Sequence, residues 1–176
     1  MKVYLKFIAI FLLTLIPLSG CVIQSSQLNN IFELIKEPSL DLSANSWELR
    51  YSDYETIVYA ISTSDGILFS NNSGDQVLFD GWTIRVIEGI GRRQLSLKIS
   101  DNLSLRSFKR GNRLVSTHTC DGWETQKSLG AVRYLQFCND GNGYQNSILV
   151  QNTGEISVIR QIVDERYTAL TLTKLH

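Results

Sequence analysis

The sequence predicts an all-β fold, built as antiparallel curved sheets (a sandwich or half-barrel) with a short N-terminal helix. Three observations predict it. From Trp47 onward apolar and polar residues alternate with a period of two, as in half-buried strands. Turn-forming pairs punctuate that pattern at intervals of roughly 8 to 12 residues. Finally, 43% of the 176 residues are apolar, 19% are charged and only 2 are proline, a composition too apolar for disorder and of a length for one domain.

Residues 1–20 read as a lipoprotein signal peptide. Lys2 and Lys6 form a basic start, and Phe7 to Leu18 is an apolar run interrupted only by Thr14 and Pro17. That run is shorter than the roughly 20 residues of a permanent membrane span. Leu18-Ser19-Gly20-Cys21 is similar to the lipobox of bacterial lipoproteins, in which the cysteine is acylated after cleavage. Each buried CH₂ of the acyl chains, palmitate among them, contributes about 0.8 kcal/mol of anchoring. Val22, in place of Asp, favours sorting to the outer membrane, on its periplasmic side. Residues 21–26 are then a polar lipidated tether, and 27–176 a single β-rich periplasmic domain. Within it, Leu28, Ile31, Phe32, Leu34 and Ile35 recur at near-helical spacing until Pro38, so a helix is expected over 27–36.

The strands follow. Glu55 to Ile61 is β-branched and aromatic and ends at Ser64-Asp65-Gly66. Ile67 to Phe69 is a brief strand before the Asn71 to Asp75 turn. Gln76–Phe79 and Trp82–Ile87 flank Asp80-Gly81, a favoured tight-turn pair. Leu95, Leu97 and Ile99 alternate with Ser96 and Lys98, and Asp101-Asn102 is expected to turn the chain into Leu103 to Phe108. Gly111-Asn112 precedes Arg113 to Cys120, and Ala131 to Cys138 leads into the glycine-rich turn at 139–143. Ser147–Val150 and Ile156–Arg160 form a hairpin across Asn152-Thr153-Gly154-Glu155, and Arg166 to Leu175 is the last strand. About ten or eleven strands result, the pattern of an antiparallel sandwich or barrel.

Candidate chemistry is sparse. The 17 basic and 17 acidic side chains balance, which gives no electrostatic basis for a nucleic-acid partner. With Cys21 committed to lipid, Cys120 and Cys138 remain as an even pair in a compartment that permits disulfides. A bridge is favoured over two free thiols or a metal site with His118, which would lack a fourth ligand. No catalytic residue and no cofactor is expected. Ser–His–Asp chemistry would have to rely on His118, and Asp65, Asp75, Asp80, Asp101, Asp121 and Asp140 adjoin Gly or Asn as turn residues do. Trp47, Trp82 and Trp123, with Tyr51, Tyr54, Tyr59 and Tyr144, are readable as a stacking platform for sugar rings or, as preferred, as strand packing. Trp82, Trp123 and Arg85 are the candidates for glycan contact. Arg85, Arg92, Arg93, Arg106, Arg110 and Arg113 are readable as one locally basic face or as solvated strand edges.

Several of these features occur in the order found in the YjbF/GfcB family of capsule and exopolysaccharide lipoproteins. They are the lipobox at Cys21, the short helical stretch, the strand Ile57 to Ile61, and Ser64-Asp65-Gly66. The segment Gly74 to Gly89 and the hairpin Ser147 to Val163 follow, and the chain resembles that family over most of 25–175. The resemblance implies a non-enzymatic, β-rich outer-membrane lipoprotein that assists polysaccharide export, with exported polysaccharide or export-machinery proteins as partners. Only Cys21 carries over with a role. The alternative is a half-barrel carrier for lipid or acyl chains, which requires a contiguous apolar concavity.

Overall fold

The computed structural model describes residues 45–91, 95–102, 104–139 and 143–175. The expected signal peptide, Cys21, the expected tether and the expected helix at 27–36 lie outside the described residues, as do Arg92, Arg93 and Asp140. Thirteen strands are present among the described residues: β1 (Ser46–Tyr51), β2 (Tyr54–Thr63), β3 (Gly66–Ser70), β4 (Gln76–Phe79), β5 (Ile84–Ile90), β6 (Leu95–Asn102), β7 (Leu105–Arg110), β8 (Arg113–Cys120), β9 (Glu124–Ser128), β10 (Ala131–Asn139), β11 (Tyr144–Gln151), β12 (Ile156–Ile162) and β13 (Ala169–Lys174).

Every pairing is antiparallel, and the sheet closes on itself. β1 to β8 follow one another as neighbours, β8 meets β10, and β10 to β13 lead back to β1. The outcome is a closed twelve-stranded barrel, where the sequence left a sandwich, a half-barrel or a barrel open. Closure satisfies backbone groups that two open sheet edges would leave exposed.

The ring closes by a narrow junction. β10 pairs with β8 through two residue pairs only, Asn139 with Thr119 and Cys138 with Cys120. β9 then continues the path of β8 along β10. Between the Cys120–Cys138 and Glu124–Leu135 pairs the β8–β9 side takes four steps and β10 takes three, so one residue bulges out. Asp121 N–H donates to the Phe137 carbonyl at 2.8 Å across that bulge. β9 itself is polar at every position and exposed at every position. Without hydrophobic alternation it carries no strand signal in the sequence, which is why it was missed.

Opposite walls of the barrel touch. β5 and β12 lie halfway round the ring from each other, yet the Gln161 side chain on β12 accepts from the Ile84 backbone N–H on β5 at 3.1 Å. The barrel is therefore flattened, and its interior is filled by side chains. Leu49, Phe69, Phe79, Ile84, Ile87, Phe108, Ile159 and Leu170 are fully buried there. Each side chain of this size contributes about 1.5 to 3 kcal/mol on burial.

Two local expectations also change. Asp101 and Asn102 pair with Arg106 and Leu105 inside the β6–β7 ladder, so they are not a turn. The last strand begins at Ala169, because Asp164 organises residues 164–168 as a capped turn: its Oδ1 accepts from the Arg166 and Thr168 N–H groups at 3.0 and 2.9 Å.

Candidate functional site

The turn between β4 and β5 is held from both sides. Asp80 Oδ1 accepts from the N–H groups of Trp82 and Thr83 at 2.9 and 2.7 Å, the Asx geometry that an Asp-Gly turn favours. Gln161 Nε2 donates to the Trp82 carbonyl at 2.6 Å. Behind the turn lies a buried polar network. Arg106 donates to Gln161 at 2.7 Å and to Asp101 at 3.3 Å, and the Thr83 hydroxyl donates to Asp101 at 2.6 Å. Burial pushes the Arg106 guanidinium below its usual pKa, against the opposing pull of Asp101.

This framework presents Trp82 to solvent. Its residue is 47% exposed, so a broad indole face stays wet although the backbone beneath it is fixed at three points. The ring packs against two others. Trp123, from the bulge between β8 and β9, lies at 5.6 Å between centroids, and Tyr134 on β10 meets Trp82 edge-on at 5.2 Å. Tyr134 and Trp123 are partly buried against the core, so they support Trp82 from below. Arg85 is the extra residue of a β5 bulge, between the Leu78–Val86 and Phe79–Ile84 pairs, and its guanidinium lies 3.6 Å from Asp80. A bulge re-aims the side chain it carries, which brings Arg85 to the carboxylate that holds the Trp82 turn.

The structure thus brings together Trp82 and Trp123, residues 41 apart in sequence, and places Arg85 at the turn that carries the first of them. The other aromatic candidates go elsewhere. Trp47 is core, edge-on to Phe69. The Tyr51 and Tyr54 hydroxyls donate to Asp164 and Asp75, and Tyr144 meets His118 Nδ1 at 2.8 Å. His118 is buried and stacked with Tyr167.

The arginines do not form one face among the described residues. Arg106 is fully buried, Arg85 pairs with Asp80, and Arg110 pairs with Glu165 at 3.3 Å. Reading Arg106 as a solvated strand residue failed because an inward position on β7 is indistinguishable from an outward one until its partner Gln161 is known. Tyr134 and Gln161 were missed for the same reason. Cys120 and Cys138 are joined by a disulfide between register partners.

Comparison of the chain with known protein families, with curated proteins and with solved structures finds no match in any of the three.

Proposed function

We propose that the protein is a lipid-anchored outer-membrane lipoprotein, facing the periplasm, that binds capsule or exopolysaccharide during export without turning it over. The observation that carries this reading is the half-exposed Trp82 ring, backed by Trp123 and Tyr134 and fixed through Asp80 and Gln161. A pyranose presents a flat C–H face and a rim of hydroxyls. An immobilised indole matches the face, and the adjacent Arg85–Asp80 pair matches the hydroxyls. Pre-organisation removes the entropy that a mobile aromatic would lose on binding. The lipobox at Cys21 and the Cys120–Cys138 disulfide both suit a protein exported to an oxidising compartment. The order of motifs similar to the YjbF/GfcB lipoproteins supports the polysaccharide as cargo.

The test pairs anchor and platform. Mass spectrometry of the native protein should find Cys21 acylated, and Cys21→Ala should release the domain from the membrane and abolish export support. Normal export by the released variant, or polysaccharide binding that survives Trp82→Ala undiminished, counts against the reading.

A further inference from the structure

A cavity of about 650 Å³ lies between the β1–β2 turn, the adjoining ends of β5 and β6 (Ile90-Gly91 and Leu95-Ser96) and the β12–β13 loop. It is separate from the Trp82 platform. Trp82 precedes the first residue of β5, and the cavity reaches Ile90 and Gly91 at the end of that strand. At about 3.3 Å per residue, β5 sets the two sites about 20 Å apart. The volume falls inside the range of roughly 300 to 1,000 Å³ usual for small-molecule sites.

The lining is built for hydroxyls. Tyr51 and Tyr54 supply aromatic surface, and each is locked by a short bond from its own hydroxyl, to Asp164 at 2.6 Å and to Asp75 at 2.7 Å. Acceptors and donors alternate around them. Asp53 and Arg166 both line the cavity, and Arg110 donates to Glu165 Oε1. Glu165 Oε2 is buried and has no hydrogen-bond partner among the described residues, so that oxygen lies behind the cavity wall and the accessible polar groups are those of Asp53 and Arg166.

The rim is also strained. Ser52 and Tyr167 hold left-handed backbone, with φ of 54° and 60°, a conformation that is strained for a residue other than glycine. Both belong to the loops around the cavity. Stacking on His118 and the hydrogen bond from Tyr167 N–H to the Asp164 carbonyl hold the second of them in place. Strain of this kind persists where surrounding contacts over-determine a loop, and it concentrates at ligand sites.

We propose that this cavity is a second saccharide subsite, taking one or two sugar units through their hydroxyls, so that the barrel grips one polysaccharide chain at two fixed points. The inference rests on the polysaccharide reading above and adds a second site to it. Interleaved carboxylates and guanidinium groups suit hydroxyls, which donate to the first and accept from the second. Two subsites on one rigid body raise the affinity for a polymer above that for a short oligosaccharide without any further contact.

The experiment uses the full chain in detergent, labelled with ¹⁵N. The probes are exopolysaccharide purified from the producing cells and the di- to tetrasaccharides of its partial hydrolysate. Amide shifts at Tyr51, Tyr54 and Thr168 as well as around Trp82 support the proposal. So does a loss of at least tenfold in polymer affinity for the Asp53→Ala, Arg166→Ala double variant, with oligosaccharide shifts at Trp82 retained. Shifts confined to Trp82, Trp123 and Tyr134 overturn the second subsite and leave the platform standing. Shifts confined to the cavity overturn the two-point grip and the Trp82 platform together. No shift at either place overturns both readings. Among the described residues, Asp53 and Arg166 make no side-chain bond that holds the fold, so the double variant is expected to fold.

Discussion

Cys120 and Cys138 stand directly opposite each other in the ladder, at the only place where β8 and β10 pair, and the disulfide between them staples the ring. Beside it, the junction has only the Thr119–Asn139 pair and the bond from Asp121 N–H to the Phe137 carbonyl among the described residues. Trp123 lies three residues beyond Cys120, so the staple also fixes the segment that delivers one of the three rings of the aromatic platform.

Cys120→Ser, or full reduction of the wild-type protein, is therefore expected to cost roughly 3 kcal/mol, the value for closing a loop of this length. Urea unfolding with and without reductant measures it. An unchanged midpoint on reduction would mean that the junction holds without its staple.

Trp82→Ala is expected to separate binding from stability. The ring is half exposed, so losing its contacts with Trp123 and Tyr134 should cost about 1 kcal/mol. On the polysaccharide proposal, affinity for that polymer should fall at least tenfold, about 1.4 kcal/mol, by titration calorimetry. Trp82→Phe should recover part of the loss, since it restores a flat apolar face.

Gln161 is a positioning residue for that ring, and two substitutions divide its roles. Gln161→Leu strips the partner from Ile84 N–H and from the buried Arg106, and should destabilise by about 2 to 3 kcal/mol. Gln161→Glu keeps both of those acceptor contacts but sets a carboxylate oxygen against the Trp82 carbonyl in place of the donor. With Arg106 to pair the new charge, it should destabilise less than Gln161→Leu while raising Trp82 mobility in fluorescence anisotropy. Equal anisotropy in Gln161→Glu and wild type would show that Asp80 alone holds the turn.

Tyr51 ties stability to alkaline pH. Burial, reinforced by its hydrogen bond to Asp164, pushes its hydroxyl up to about 12. The native state therefore keeps a proton that the unfolded chain releases near the ordinary tyrosine value of about 10. Stability from this group is complete below about pH 10 and is lost as pH rises towards 12. Tyr54 shifts the same way, through its bond to Asp75. Melting temperature measured from pH 9 upward should fall less steeply in Tyr51→Phe than in wild type. Parallel slopes would remove Tyr51 from the account.

Much of the fold is legible in the residues. Asp80-Gly81 marks a turn because the aspartate side chain caps its own backbone, and the structure has that geometry at Trp82 and Thr83. Leu97 and Ile99 alternate with polar neighbours and are buried as the period requires. Three kinds of residue escaped. β9 is polar throughout because both of its faces are wet. Arg106 points into a barrel whose far wall supplies Gln161, a partner 55 positions away. Asp164 starts a capped turn where the alternation of the following residues already suggested strand.

By itself, then, the sequence determined that the domain is β and where most of its turns fall, and it supplies the motif at Cys21 on which the lipoprotein proposal rests. These are local properties, set by an apolar run, a period of two and the turn chemistry of Asp, Asn and Gly. Only the tertiary structure decided that the sheet closes into a flattened barrel, that Trp82 stands on Trp123 and Tyr134, and that Arg106 is inside. Those outcomes depend on contacts between walls far apart in sequence. The alternation of a single strand shows that its two faces differ, and it is the opposite wall that makes one of them the interior.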